Sequence, residues 1–274
     1  MSELFKQQQQ TAWNEKASAY DLHLGKITAL AAESLLNAAG VSEGMQVLDV
    51  ATGPGYVAGG AHARGAIATG VDLAGAMIAQ AQHRYPDALF YEGDAESLIF
   101  PDGFFDAVLC PFGLDYLAQP EKAVAHAHRV LCPGGKYGFS VWASPLSNPL
   151  FELVLNAITT QGDYREPSEI APALFRFSEP ESAKSLLENH GFNAVNIEQV
   201  SLEWQVDNPR RLLDLIYKST VTTAEHLEQQ DYSVIGDIHQ HIIDGVKALL
   251  GRDNTLSWHA LIAVGVKPGL LSCP

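Results

Sequence analysis

A short apolar segment near residue 50 ends in a loop whose residues could hold a charged ligand. Asp49 lies within this segment, and Gly53 and Gly55 follow it in the loop Thr52-Gly53-Pro54-Gly55. Glycines let the backbone turn sharply and approach a ligand closely. A carboxylate beside such a loop attracts a cationic group, such as an amino-acid ammonium, and repels a pyrophosphate. The pattern predicts a nucleotide-type cofactor site whose ligand carries positive charge.

The same loop argues against a dinucleotide site. The dinucleotide pattern GxGxxG needs a third glycine, and Ala58 stands at that position. Asp72, at the end of the next predicted strand, is an ionised acceptor that can take two hydrogen bonds from ribose hydroxyls. Because dinucleotide sites share such a residue, Asp72 indicates a ribose without naming the cofactor.

Two later loops carry polar and aromatic side chains. Gly93-Asp94-Ala95-Glu96 places a carboxylate where an adenine amino group could donate; the alternative is an Asx-type turn that caps the next segment. The loop Pro111-Phe112-Gly113-Leu114-Asp115-Tyr116 supplies aromatic surface and a flexible glycine. Asp115 is the candidate in this loop for acid–base chemistry or substrate contact.

Alternating apolar and helical patterns predict the elements that position these loops. Strands are expected at 46–51, 66–72, 89–92, 105–110 and 136–142, and helices from the first loop to about residue 64, at 74–85 and at 121–131. Strands that alternate with helices in this way form a mostly parallel sheet. Ligands bind such sheets at the carboxyl ends of the strands, where each of these loops lies.

The segments outside 43–142 are predicted to cover the sheet. We expect helices near 149–161, at 179–190 with Ser178 as N-cap, at 209–224 and at 231–250, a proline-punctuated loop at 163–177, and strands at 195–206 and 256–266. We interpret 1–25, 145–177 and 205–250 as lid and substrate segments. The whole chain, 1–274, is then one domain with a cofactor-binding core at 43–142.

The first residues are predicted to form a helix over 5–24. Trp13, Ala17 and Tyr20 recur in it at helical spacing. Two interpretations stay open, because such residues either pack the helix onto the core or form a flap that closes over the cofactor.

The composition limits the classes of partner that are expected for the protein. Seventeen Lys and Arg face 32 Asp and Glu, for a net charge of −15, and no basic run exceeds Arg210-Arg211, so a nucleic-acid partner is not expected. No apolar run approaches the roughly 18 residues that span a bilayer, so no membrane association is expected either. The three cysteines form no CxxC pair and the first residues lack a secretory signal, which favours the cytoplasm. A homodimer is left open.

Five ordered signals together resemble the class I S-adenosylmethionine-dependent methyltransferases. They are Val-Leu-Asp-Val-Ala-Thr-Gly-Pro-Gly at 47–55, Gly-Val-Asp at 70–72, Gly-Asp-Ala at 93–95, Phe-Asp-Ala-Val at 105–108 and Arg-Val-Leu-Cys-Pro-Gly-Gly at 129–135. Phe112-Gly113-Leu114 and the Pro-Gly-Gly turn are most similar to the small-molecule branch that includes quinone-biosynthesis methyltransferases. The resemblance covers about residues 43–142.

The resemblance implies an α/β fold with a doubly wound, mostly parallel seven-stranded sheet, its last strand antiparallel, and helical lid insertions. It implies S-adenosyl-L-methionine as cofactor, with the methionine end near Asp49 and the loop, the ribose on Asp72, and the adenine near Asp94. The implied cofactor-binding residues are Tyr20, Asp49, Ala51, Thr52, Gly53, Gly55, Asp72, Leu73, Met77, Gly93, Asp94, Ala95, Glu96, Pro111 and Phe112. Many relatives have glycine where Ala51 and Val57 stand here.

The expected reaction is methyl transfer by in-line displacement to an oxygen, nitrogen or carbon atom of a small apolar or aromatic metabolite. Tyr116 and Trp142 are the expected substrate contacts. The spacing of the ten histidines selects no general base, which leaves Asp115 as the candidate, and no cluster of metal ligands stands out. The acceptor molecule and its reacting atom stay open.

Two alternatives are retained. A nicotinamide-dependent oxidoreductase shares the glycine loop and Asp72, but it predicts a third loop glycine and a TyrxxxLys pair, whereas Tyr217-Lys218 has the wrong spacing. A non-catalytic protein could keep the cofactor site without turnover.

Overall fold

The computed structural model describes residues 2–164, 175–250 and 253–269. The strands are β1 (Gln46–Val50), β2 (Ile67–Asp72), β3 (Leu89–Glu92), β4 (Phe105–Pro111), β5 (Leu131–Trp142), β6 (Asn193–Gln205) and β7 (Thr255–Val266). The helices are α1 (Ser2–Leu22), α2 (Gly25–Thr28), α3 (Leu30–Ala39), α4 (Tyr56–Ala63), α5 (Gly75–Arg84), α6 (Pro120–Val130), α7 (Pro149–Gln161), α8 (Pro180–Asn189), α9 (Arg211–Ser219), α10 (Thr222–Glu228) and α11 (Ile235–Leu249).

The strands form one seven-stranded sheet in the order β3-β2-β1-β4-β5-β7-β6. Neighbouring strands are parallel except around β7, which is antiparallel to both β5 and β6. The predicted fold class, including the antiparallel last strand, is therefore confirmed. The strand order reverses between β1 and β4, and such a switch point opens a crevice at the carboxyl ends of the strands.

Helices cover both faces of the sheet because the central strands are apolar on both faces. Val47 and Leu109 pack into one buried cluster with α3, α4 and the lid-side helices, whereas Leu48 and Val108 pack into another with α6 and α8. Successive side chains of a strand point to opposite faces, so adjacent residues of β1 serve different helix layers. This layering leaves the strand ends, not the strand faces, available for ligands.

The predicted helix over 209–224 is wrong as a single element. The chain forms α9 and α10 instead, with Thr220 extended between them. The Thr220 hydroxyl donates to the carbonyl of Ile216 and accepts a hydrogen bond from the backbone N–H of Ala224, at 2.8 and 3.2 Å. Threonine side chains compete in this way with the backbone ladder, which ends one helix and caps the next.

Three other boundaries differ from expectation. Helix α8 has Glu179 at its N-cap with no side-chain hydrogen bond, so Ser178 is not the cap; Pro180 fixes the first helical position. Strand β5 begins at Leu131 and its pairing with β4 jumps from Leu131 to Lys136, so the Pro-Gly-Gly turn is an insertion within β5 rather than a turn before it. Helix α3 was not predicted. Of the predicted 163–177 loop, residues 165–174 lie outside the described residues.

Within the described residues, no helix is both long and apolar enough to cross a membrane.

Gly55 allows a test of how tightly the first loop is packed. Its φ is 82°, and a Cβ there would lie 2.9 Å from the Phe90 ring and 3.0 Å from Ala81 Cβ. We expect Gly55→Ala to lower the free energy of unfolding by about 3 kcal/mol, from backbone strain plus overpacking. Chemical denaturation monitored by circular dichroism measures this change.

Gly44 provides the matched control. Its φ is 81°, but a Cβ there would meet no atom within 4 Å. Gly44→Ala should therefore cost only the strain, about 1 kcal/mol. Equal costs at the two positions would contradict the close contact at Gly55.

Candidate functional site

A cavity of about 1130 Å³, counting the space at its open mouth, lies between α1 and the carboxyl ends of the central strands. Every predicted cofactor residue except Asp49 and Gly55 lines it, and so do both predicted substrate contacts. The lining members of these sets are Tyr20, Ala51, Thr52, Gly53, Asp72, Leu73, Met77, Gly93, Asp94, Ala95, Glu96, Pro111, Phe112, Tyr116 and Trp142. The structure thus brings together residues from the carboxyl ends of five strands, β1 to β5.

Asp72 ties the glycine loop to the next helix. One carboxylate oxygen accepts a hydrogen bond from the backbone N–H of Gly53 at 2.8 Å, and the other accepts from that of Ala74 at 2.9 Å. Burial raises the pKa of Asp72 to about 6, and these two backbone donors oppose the rise. Each carboxylate oxygen has a second lone pair, so the group can accept further hydrogen bonds from a ligand.

Asp49 lies beneath the loop and not on the cavity wall. It is 0% exposed, and one carboxylate oxygen accepts from the Thr52 hydroxyl at 2.6 Å and from the backbone N–H of Ala58 at 2.9 Å. The other oxygen has no hydrogen-bond partner among the described residues. Burial raises the pKa of Asp49 to about 7. The side chain holds the loop against the first turn of α4, and its contact with a cofactor stays a prediction.

Two residues of the cavity wall take a backbone conformation that favours glycine. Ala51 has a φ of 53° and Phe112 a φ of 55°. A larger side chain at position 51 would add to the strain, and a Cβ on Gly113 would lie only 2.5 Å from Ala51 Cβ. The close approach explains why glycine is present at position 113, next to the Cβ of Ala51.

The loop after β3 is an Asx-type turn that also faces the cavity. One oxygen of Asp94 accepts from the backbone N–H of Glu96 at 2.8 Å, so the turn predicted as the alternative is present. The other oxygen lies 2.6 Å from Lys6 Nζ, which also pairs with Glu96 at 3.1 Å. A carboxylate that caps a turn keeps acceptor capacity, so the two interpretations of Asp94 are compatible.

Helix α1 lies along α5 and covers the cavity. Its Gln10 donates to the carbonyl of Leu73 at 2.9 Å, and its Asn14 accepts from the backbone N–H of Ala76 at 2.9 Å. Ala17 is buried against α5, while Trp13 and Tyr20 line the cavity. Core packing therefore describes Ala17, and a flap that closes over the cofactor stays a prediction.

Aromatic rings form another part of the cavity lining. The Trp13 ring lies edge-on to Tyr116 at 5.1 Å and to Tyr20 at 5.6 Å, and Phe112 lies 4.5 Å from Trp142. Aromatic faces attract cations. The wall suits a ligand with a sulfonium group.

The sequence analysis missed three polar residues of α1, namely Lys6, Gln9 and Gln10, which line the cavity. They share a helix face with Trp13 and Tyr20, so their helical spacing could have identified them as lining residues. The run of four glutamines hides that spacing, because four successive identical residues show no periodicity.

Asp115 does not line the cavity. It is 6% exposed, burial raises its pKa to about 6, and the nearby Arg176 opposes the rise. Arg176 donates to the carbonyls of Leu114 and Leu117, which fixes this loop. A role as general base stays a prediction. The described residues contain no group of three or more His, Cys, Asp or Glu that could hold a metal ion.

The sheet order, the acidic residues at successive strand ends and the glycine loop define a Rossmann-like S-adenosylmethionine-dependent methyltransferase. Residues 48–139 match the family model described as "Methyltransferase domain". In fold, the chain is similar to phosphoethanolamine N-methyltransferase 2 of Haemonchus contortus, solved with S-adenosylhomocysteine, with a TM-score of 0.53 and 20% identity over 86% of this chain and 52% of that one.

Two curated relatives share more sequence. Demethylmenaquinone methyltransferase of Renibacterium salmoninarum is 36% identical over 115 residues, which cover 42% of this chain and 48% of that protein. Its counterpart in Thermus thermophilus is 32% identical over 163 residues, which cover 54% of this chain and 74% of that protein. The alignments thus span about half of the first relative and three-quarters of the second. The chain belongs to the class I S-adenosylmethionine-dependent methyltransferases and resembles the quinone-biosynthesis members.

The raised pKa of Asp49 predicts a pH dependence of stability. A carboxyl whose pKa rises on folding, here to about 7, binds more protons in the folded than in the unfolded state between about pH 4 and pH 7. The contribution of Asp49 to the free energy of unfolding therefore falls as the pH rises through that window. The free energy of unfolding of the wild type, relative to that of Asp49→Asn, should fall by roughly 3 kcal/mol between pH 5 and pH 8.

Urea denaturation of both proteins at the two pH values measures the difference. Asp87→Asn is the control, because it also replaces one carboxylate by an amide but at an exposed position. A wild type and an Asp49→Asn variant with the same pH dependence would show that Asp49 ionises normally.

Proposed function

We propose that the chain transfers the methyl group of S-adenosylmethionine to an oxygen, nitrogen or carbon atom of a small apolar or aromatic metabolite. The observation that carries this is one cavity that is lined both by carboxylates from successive strand ends and by aromatic rings. Relatives named as demethylmenaquinone methyltransferases support a quinone-type acceptor. The missing third loop glycine gives no support to a nicotinamide-dependent oxidoreductase.

Each end of the cofactor has residues that fit it. We assign the ribose to Asp72 and the adenine to the turn at Asp94 and Ala95, with Leu73 and Met77 as its apolar walls. The methionine end is assigned to Thr52 and Gly53, where the buried charge of Asp49 lies beneath the loop. A negative site of this kind favours a ligand with ammonium and sulfonium groups.

When bound, S-adenosylmethionine supplies an electrophilic methyl group on a positive sulfur. The protein's part is to align an acceptor with that methyl group and to keep water away. Tyr20, Phe112 and Tyr116 present ring faces and edges to the cavity, which stabilise positive charge there. Helix α1 covers the mouth, so α1 excludes water. A covalent enzyme intermediate is not required.

We further propose that the protein works in the cytoplasm on a small molecule. The net charge of −15 disfavours a nucleic-acid partner. A homodimer is compatible with these features.

Calorimetry tests the cofactor assignment. Adenosylhomocysteine should bind the wild type, and NAD should not. Asp72→Asn should weaken adenosylhomocysteine at least tenfold, because the amide loses one acceptor and places an NH2 group against a backbone N–H. Asp87→Asn, which changes an exposed carboxylate at the end of α5, should bind like wild type. NAD binding without adenosylhomocysteine binding would reject the assignment.

Methyl transfer itself needs a separate experiment. Adenosylmethionine labelled in its methyl group, incubated with the protein and a cell extract, should yield label that partitions into organic solvent, because the proposed acceptor is apolar. Asp72→Asn should reduce that label in parallel with its loss of cofactor affinity. Tight cofactor binding with no transferred label would favour a non-catalytic protein.

A further inference from the structure

Arg176 holds the loop that follows β4 from outside the cavity. The residue lies in the segment before α8 and is not among the described residues that line the cavity. One terminal nitrogen, Nη2, donates to the carbonyl of Leu114 at 2.8 Å and to that of Leu117 at 2.7 Å. The guanidinium also lies 5.1 Å from the centre of the Phe177 ring. A single side chain thus connects two carbonyls of the loop to a ring of its own segment.

The loop that Arg176 holds carries part of the cavity lining. The residues in it that line the cavity beyond Phe112 are Gly113, Tyr116, Leu117 and Ala118. Its backbone forms one short 3₁₀ turn, in which the N–H of Tyr116 donates to the carbonyl of Gly113 at 3.0 Å. The hydrogen bonds of such turns have poorer geometry than those of an α-helix. The two bonds from Arg176 therefore reinforce a turn that is weakly held by its own backbone.

The start of the loop is strained, which makes support at its end more important. Phe112 has a φ of 55°, and strained residues of this kind persist only where the surrounding structure fixes them. The backbone N–H of Phe112 donates to the carbonyl of Ser140 on β5 at 2.9 Å. Strand β5 thus fixes the start of the loop, and Arg176 fixes the end.

Carboxylates near Arg176 favour its positive charge. Burial lowers the pKa of Arg176, and the negative charges of Asp115, Glu121 and Glu96 oppose that change. Asp115 is 6% exposed, and its Oδ1 has no hydrogen-bond partner among the described residues. The carboxylate of Asp115 therefore acts on Arg176 through its charge, and this effect does not require Asp115 to reach the cavity.

We infer that Arg176 is a positioning residue of the candidate site, which holds Tyr116 and the residues after it in the cavity lining. Where the inference concerns the cofactor, it rests on the proposed function. Without the two bonds from Arg176, the loop would also populate positions in which Tyr116 has left the cavity lining. The affinity for a ligand falls in proportion to the fraction of protein that is competent to bind. Because Arg176 does not line the cavity, its effect on a ligand passes through the loop.

The indole signal of Trp13 in ¹⁵N-labelled protein reports the position of Tyr116, because the two rings lie edge-on with their centres 5.1 Å apart. The chain has four tryptophans, and Trp13→Phe identifies this signal. Arg176→Ala should shift the Trp13 signal and should weaken adenosylhomocysteine about fivefold in calorimetry. Millimolar guanidinium chloride should reverse both effects, because the ion can donate to the same two carbonyls. Sodium chloride at the same concentration should reverse neither.

Arg129→Ala is the matched control. Arg129 also donates to two carbonyls, those of Phe100 at 2.8 Å and Leu98 at 2.6 Å. None of the described residues that line the cavity belongs to this loop, 98–102. Both alanine variants should lower the free energy of unfolding, but Arg129→Ala should keep the wild-type Trp13 signal and the wild-type affinity for adenosylhomocysteine.

An unmoved Trp13 signal in Arg176→Ala, or a loss of affinity that guanidinium does not reverse, would overturn the inference. Equal losses of affinity in Arg129→Ala would also overturn it, since the effect would then be one of stability alone. If Arg176→Ala fails to fold, Arg176→Met keeps a long side chain without its donors, and an unmoved Trp13 signal in that variant would overturn the inference as well.

The outcome is separable from that of the proposed function. The Trp13 signal is measured without a ligand, so it tests the positioning role of Arg176 whether or not the cofactor assignment is correct. Failure of adenosylhomocysteine to bind the wild type would overturn the cofactor assignment and not the contact between Arg176 and the loop.

Discussion

The site depends on the buried carboxylate of Asp49. One of its oxygens accepts hydrogen bonds from both the Thr52 hydroxyl and the backbone N–H of Ala58. A single side chain therefore joins β1, the glycine loop and the first turn of α4. Asp72 lies on the next strand and raises the pKa of Asp49 further through charge repulsion. When the carboxylates of Asp49 and Asp72 are both ionised, their repulsion lowers the free energy of unfolding. A cationic ligand relieves that cost, so the same electrostatics that weaken the free protein favour the proposed cofactor.

Helix α1 connects the acidic strand ends to helix α9. Lys6 neutralises part of the acidic edge, and Lys16 on the same helix donates to the carbonyl of Tyr217 on α9 at 2.8 Å. Helix α1 therefore contacts both the loop proposed to hold the adenine and helix α9.

Short stretches of sequence were enough to predict the glycine loop and Asp72. The glycine loop and Asp72 follow short β-branched runs, and a strand end is visible from such a run alone. The partners of Lys6 lie 88 or more residues away, so no local pattern could pair them. Thr220 shows the limit of periodicity, since one hydroxyl splits an otherwise helical stretch.

The position of β7 has a consequence for how the chain is made. β7 lies between β5 and β6 in the sheet, yet it follows β6 in the chain and comes more than a hundred residues after β5. Until it arrives, β6 has no neighbour in the sheet, and both it and β5 expose unpaired edges. The lid helices lie between β6 and β7 in sequence, so they are synthesised before the sheet can close. Pairing across the β5-β7-β6 part of the sheet therefore waits for the synthesis of residues 255–266.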